Sequence, residues 1–260
     1  MIKKCSEYFF SAYLKLTNEN VDDAIEFFKF DEKLRALLLR YILRFENQIK
    51  TDFAVEIERN SGSDSFWNNS SFYLTSARSP KPSGLPSDFN YVTGKIRNWI
   101  RTSNLSNYSG CSNYLALHAC SFGSFVDLVK FIDIPLKNNF VNKYVSILPS
   151  SAQTLSFLTS YLSCIKKVRD KCAHGSYTIT LSMERALNSS WSRLLLPVNS
   201  PDSSRTFTTF ELAIYYLLQY SNCRAEFKRR LKNLLVNNAS LLTKYNGRHS
   251  LSATPITNLF

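Results

Sequence analysis

The 260 residues are 44% hydrophobic and 14% aromatic, with only seven glycines and eight prolines. That composition excludes a disordered chain and disfavours a turn-rich β architecture, and the length allows a substantial core. No apolar run reaches the roughly 18 residues that a bilayer-spanning helix needs, and the formal charge of +12 points to a polyanionic partner, nucleic acid or an acidic membrane surface.

The N-terminal "MIKKCSEYFFSAYLKL" has the basic start and apolar run of a signal peptide. Glu7 and Lys15 interrupt it and no small-residue cleavage site follows, so the expected location is the cytoplasm. A short helix, "VDDAIEFFKF", comes next. The clearest periodicity lies in residues 30 to 57, where Leu34, Leu37, Leu38, Tyr41, Ile42, Phe45, Ile49 and Phe53 recur at three- and four-residue steps. Asp31 is placed to be the N-cap of this second helix, and the polar run from Asn60 to Asp64 ends it.

Residues 60–87 are rich in Ser and Asn and close with "SPKPSGLP", the composition of a surface loop; Trp67, Phe72 and Tyr73 are its candidates for packing inward. A further helix follows in "SDFNYVTGKIRNWIRTS", with Phe89, Val92, Ile96, Trp99 and Ile100 expected on its inner face. Later helices are predicted at 124–132, 136–147, 151–173, 207–220 and 223–237. Residues 176–206 read as irregular, with "YTITL" as a short extended piece, and 245–260 as a polar tail. The fold class is all-α, a single helical domain over 1–260 with no internal repeat.

Six cysteines stand at 5, 111, 120, 164, 172 and 223. None is spaced as C-x-x-C and no histidines pair at ligand spacing, so the expectation is buried thiols in a reducing compartment, no metal and no other cofactor.

The candidate site is "KKVRDKCAHGSY", residues 166–177. It ends the predicted 151–173 helix, with Gly175 as the C′ residue and His174 in the last turn, where the helix dipole favours a protonated imidazole. Asp170 and His174 are four apart and share a face, so the carboxylate could orient the ring. Arg169 and His174 are five apart, about 140° around a regular helix, and meet at one phosphate only if the helix frays or the arginine reaches around. An R-x4-H spacing arises easily by chance, and a helix end decorated with solvated charges is the plainer reading. Of the other histidines, His118 reads as packed and His249 as exposed in the tail.

A second basic group, "RAEFKRRLKN", puts Arg224, Lys228 and Lys232 on one helical stripe that could track a phosphate backbone or simply be a solvated face. Lys166, Lys167 and Lys171 add charge beside the candidate site. Tyr177 could stack on a base, whereas Tyr161 reads as core.

These segments carry a resemblance. "RDKCAHG" matches the R-x4–6-H motif of the HEPN superfamily, with Asp170 as the polar residue after the arginine. "FKFDEKLRALLLRYILRFENQIKT" resembles the F-D-x-x-L-R…E-x-x-L-R helix of the Abi family of abortive-infection proteins, the AbiD/AbiF-like group, at Asp31, Leu34, Arg35 and Glu46. "ACSFGSFVDLVKFI" is similar to that family's SFG-S/T segment at Ser121, Phe122, Gly123 and Ser124. The segments occur in family order. The resemblance implies a HEPN-like helical bundle and a metal-independent endoribonuclease of anti-phage defence or of a toxin–antitoxin pair, in which the RNA's own 2′-hydroxyl attacks the adjacent phosphate. His174 would be general acid or base, Arg169 would stabilise charge on the phosphate and Asp170 would orient them. It implies a homodimer through the motif helix, because such sites are composed of two facing motifs, and in some members a structured small RNA antitoxin. A non-catalytic RNA-binding module, or a protein-interaction sensor of a phage product, is the competing expectation; no membrane partner is expected.

Overall fold

A computed structural model describes residues 5–64, 67–69, 89–103, 111–132, 137–145, 155–176, 178 and 223–245. Among the described residues the secondary structure is helical, without a strand. The elements are α1 (Cys5–Leu16), α2 (Val21–Ser61), α3 (Phe89–Thr102), α4 (Asn113–Ala119), α5 (Phe122–Val129), a π-helical turn (Lys137–Val141), α6 (Asn142–Val145), α7 (Leu155–Ala173), α8 (Arg224–Val236) and α9 (Ala239–Lys244). The chain divides into two compact units, residues 1–43 with 167–260, and residues 44–166.

In the first unit, α2 begins at Asn20, whose side-chain carbonyl accepts the Asp23 N–H at 3.0 Å. Asp22 and Asp23 then lie in the first turn, favourable against the helix dipole. The two helices expected on either side of residue 30 are one 41-residue helix. No Gly or Pro interrupts residues 21–61, and Asp31 is not an N-cap. Its carboxylate is fully buried, where it accepts from the Tyr13 hydroxyl at 2.6 Å, from Arg35 one turn on and from the Thr178 hydroxyl. With its acceptor capacity met by side chains, the residue has no need to end a helix.

The core of the first unit includes Ala24, Phe27, Phe30, Leu34, Leu38, Val168, Phe227, Leu231 and Leu242. Tyr245 is buried, meets Phe27 edge-on with ring centroids 5.6 Å apart, and its hydroxyl bonds Asp23, so the start of the expected tail belongs to the core. Residues 246–260 lie outside the described residues.

In the second unit, Phe45, Ile49, Phe53, Ala54 and Ile57 continue the buried stripe of α2. Phe53 packs against Phe140 at 4.9 Å and Phe125 at 5.7 Å, and Phe45 meets Tyr161 at 6.2 Å, which confirms Tyr161 as core. A buried ion pair, Glu46–Lys50 at 2.7 Å, crosses to the rest of the unit through Lys50 Nζ, which donates to the Cys120 carbonyl at 2.8 Å. The short helices α4 and α5 start at Ser112 and Ser121, whose hydroxyls accept the N–H of Leu115 at 3.2 Å and of Ser124 at 3.1 Å.

Helix α3 buries Phe89, Val92, Ile96 and Ile100 as expected. Trp99 departs from expectation: it is 45% exposed. At 100° per residue it leaves the helix about 80° from the centre of the buried stripe, at its edge. Of the loop expected over 60–87, α2 ends at Ser61 and Trp67 is buried as foreseen; 70–88 lie outside the described residues, as does the helix expected at 207–220. Cys111, Cys120, Cys164 and Cys172 are buried, and Cys223 is half-buried. Burial pushes the thiols of Cys120 and Cys172 up to about 12, so these groups stay protonated and unreactive.

Candidate functional site

Helix α7 has no Gly or Pro within it, and its register buries Leu158, Leu162, Ile165 and Val168. The chain then stops the helix in a defined way. The His174 N–H still reaches the Asp170 carbonyl at 3.0 Å; the Gly175 N–H returns to Cys172 at 3.3 Å and the Ser176 N–H to Lys171 at 2.9 Å. These last two bonds are the paired contacts of a Schellman turn, and they require the left-handed backbone that Gly175 adopts, with φ +65°. His174 is thereby fixed as the C-cap residue.

The imidazole of His174 is exposed and has no hydrogen-bond partner among the described residues. Arg169 is half-buried, and its guanidinium lies 3.2 Å from the Asp170 carboxylate. The orienting contact expected between Asp170 and His174 is therefore replaced by one between Asp170 and Arg169. Because the helical bonding persists to His174, the helix does not fray, and the two motif side chains leave it about 140° apart. One copy of this helix end holds an oriented, partly shielded cation and an open imidazole on different sides.

The surrounding cations are arranged as follows. Lys171 is exposed, and Lys166 and Lys167 are half-buried. Tyr177 lies outside the described residues. On α8, Arg224 and Lys232 are exposed and Lys228 half-buried, in a stripe that runs alongside the buried Phe227, Leu231 and Leu235. On the side of α8 away from Lys228, Glu226 pairs with Arg230 at 2.9 Å.

Two positioning arrangements escaped the sequence reading. Thr178, four residues past His174, is buried and hydrogen-bonded through both its hydroxyl and its N–H, the latter at 3.3 Å, to Asp31. This bond ties the chain leaving the motif to α2, and the Asp31–Arg35 pair at i, i+4 within an apolar stripe was its available signal. The second is Gly123. A Cβ there would sit 2.7 Å from Lys166 Cε, so the glycine leaves room for the Lys166 side chain across the start of α5. His118 is packed as expected: its Nε2 is 3.1 Å from the Thr51 hydroxyl, and its ring stacks on Tyr114 at 4.1 Å. Burial, with Lys50 nearby, holds its pKa below the usual histidine range. His249 lies outside the described residues.

The order of these parts along the chain, from the α2 carboxylate–arginine pair to the histidine at the end of α7, coincides with a family match: residues 2–180 fit the model of the Abi-like protein family. The chain belongs to the Abi-like protein family. That match ends just past Thr178, so it includes both the motif and its anchor on α2. Membership links the protein to abortive infection, a phage-defence response. No curated protein and no solved structure matches the chain. Among the described residues of this Abi-like protein, no helix is long and apolar enough to cross a membrane.

Proposed function

We propose that this Abi-like protein is a HEPN-type endoribonuclease of the AbiD/AbiF-like group that acts in abortive infection or as the toxin of a toxin–antitoxin pair. The observation that carries the reading is the end of α7, where an exposed imidazole is held at the C-cap five residues beyond an arginine oriented by Asp170.

In the reaction, the 2′-oxygen of one nucleotide bonds to the adjacent phosphorus and the bond from phosphorus to the 5′-oxygen breaks. The products are a 2′,3′-cyclic phosphate and a 5′-hydroxyl. One proton leaves the 2′-hydroxyl and one arrives on the 5′-oxygen, so a base and an acid are both required. Neutral imidazole serves as the first and imidazolium as the second, while guanidinium offsets the charge that grows on the phosphate oxygens.

A single helix end presents Arg169 and His174 on different sides, so the composite site forms from two copies, with two imidazoles and two guanidinium groups around one phosphate. A homodimer through α7 follows. Lys166, Lys167, Lys171, Tyr177 and the α8 stripe of Arg224, Lys228 and Lys232 supply the surrounding attraction for RNA. A small structured RNA that restrains the protein would occupy the same cationic surface.

The test is expression of the wild type beside Arg169→Ala and His174→Ala, following growth and RNA integrity in folded protein. Loss of growth inhibition and of cleavage in both variants is expected; unchanged toxicity and unchanged cleavage contradict the proposal. A binding-only module would keep its RNA affinity and produce no cyclic-phosphate ends in any form.

A further inference from the structure

The second unit carries an aromatic and cationic surface that the motif does not use. On α3, Tyr91 is 52% and Trp99 45% exposed, although both are large enough that burial would stabilise them. They line an open depression of about 570 Å³, with Gly94, Lys95 and Asn98 of the same helix and Ser121 and Ser124 of α5. Lys95 Nζ lies 4.5 Å from the Tyr91 ring centroid. Asn98 accepts from Arg101 at 2.7 Å through its carbonyl, which turns its amide N–H groups to donate elsewhere. The helix has three cations, Lys95, Arg97 and Arg101, and no carboxylate. Ser121 caps the N-terminus of α5, and the Lys166 side chain crosses that terminus beside Gly123.

Gly94 is the telling residue. It sits inside an amphipathic helix, where glycine costs about 1 kcal/mol against alanine. A Cβ at this position would meet nothing within 4 Å, so no packing partner within the described residues requires the missing side chain. The space it keeps open is the depression between Tyr91 and Trp99.

We propose that this depression is a subsite for single-stranded RNA, in which Tyr91 and Trp99 stack on bases and Lys95, Asn98 and the start of α5 hold the phosphates. Every base presents a flat face, so two exposed rings about 12 Å apart along the helix axis take different bases of one strand. A duplex, whose bases are already stacked, cannot use them. The assignment rests on the RNA reading above and adds a second place of contact to it, one that selects unpaired RNA.

The experiment measures binding of a fluorescein-labelled oligouridylate, and of an RNA duplex of equal length, to full-length protein carrying His174→Ala to prevent cleavage. In that background Trp99→Ala and Tyr91→Ala are each expected to weaken single-strand binding roughly tenfold or more, and Trp99→Phe to restore most of it. Gly94→Leu fills the depression and is expected to weaken binding similarly; thermal unfolding of each variant shows that the fold is kept. Wild-type-like single-strand affinity in the folded Ala and Leu variants overturns the subsite and leaves the RNA reading standing. Equal dependence of duplex binding on Trp99 also overturns it. If the parent protein has no salt-dependent affinity for either RNA, the RNA reading fails and the subsite with it.

Discussion

Asp31 shows how much one side chain can organise. A buried carboxylate survives only when its oxygens are fully partnered, and here Tyr13, Arg35 and Thr178 converge on it from three stretches of chain. Asp31→Ala is expected to cost about 3–5 kcal/mol, because Arg35 loses its buried partner; denaturant unfolding would measure it, and a loss below about 1 kcal/mol would contradict this role. The same substitution should also lower activity in protein that remains folded, since Thr178 anchors the chain that leaves His174. His118 gives a pH prediction. Its pKa is held low by burial, with Lys50 adding to the effect, so the unfolded chain binds the proton more readily than the folded one. Its contribution to stability is therefore full above the unfolded value, about 6.5, and is lost as the pH falls below it. His118→Gln, which can keep a bond to Thr51, should flatten the fall in unfolding midpoint between neutral and mildly acidic pH; an unchanged profile would exclude the residue as a cause.

At the scale of elements, the end of α7 and the start of α5 depend on two glycines for opposite reasons. Gly175 supplies a backbone conformation. Gly175→Ala should destabilise by about 1 kcal/mol and displace the His174 C-cap, lowering activity more than stability, while Gly175→Asn, which tolerates the left-handed region, should retain more of both. Gly123 supplies space, and since the neighbour is the far end of a lysine, Gly123→Ala should shift Lys166 at little cost to the fold. Thermal unfolding and RNA affinity compared across the three variants would check both. The helices themselves were legible because apolar residues recur at helical steps and Gly175 marks an end. The unity of α2 was not: Asp31 is as good a cap as it is a buried acceptor, and only the partners Tyr13 and Thr178, 18 and 147 residues away, decide between them. Trp99 was misplaced for a similar reason, since hydrophobicity alone does not separate the edge of a stripe from its centre. The motif was found from spacing and resemblance, but the pairing of Asp170 with Arg169 rather than with His174 depends on rotamers that spacing does not specify. The Asp31, Arg35 and Glu46 positions that carry the family resemblance are scaffold residues; their ion pairs are buried inside each unit.

For the whole molecule, the charge of +12 and membership of the Abi-like protein family both support the proposal that this basic helical protein acts on RNA. Arg169 and His174 diverge on one helix end, so the proposed cleavage requires two chains at one phosphate. Co-expressing wild-type with excess His174→Ala protein tests that requirement: if each site needs an imidazole from both chains, cleavage is expected to fall more steeply than the wild-type fraction, whereas a fall in simple proportion to it would show that each chain acts alone. The cleavage chemistry is what sets a HEPN-type endoribonuclease apart from an RNA-binding module. Its most direct measurement is the identity of the RNA ends produced by purified wild-type protein beside His174→Ala. Expected are 2′,3′-cyclic phosphate and 5′-hydroxyl ends from the wild type and intact RNA from the variant; 5′-phosphate ends, or cleavage that persists in His174→Ala, would contradict this chemistry.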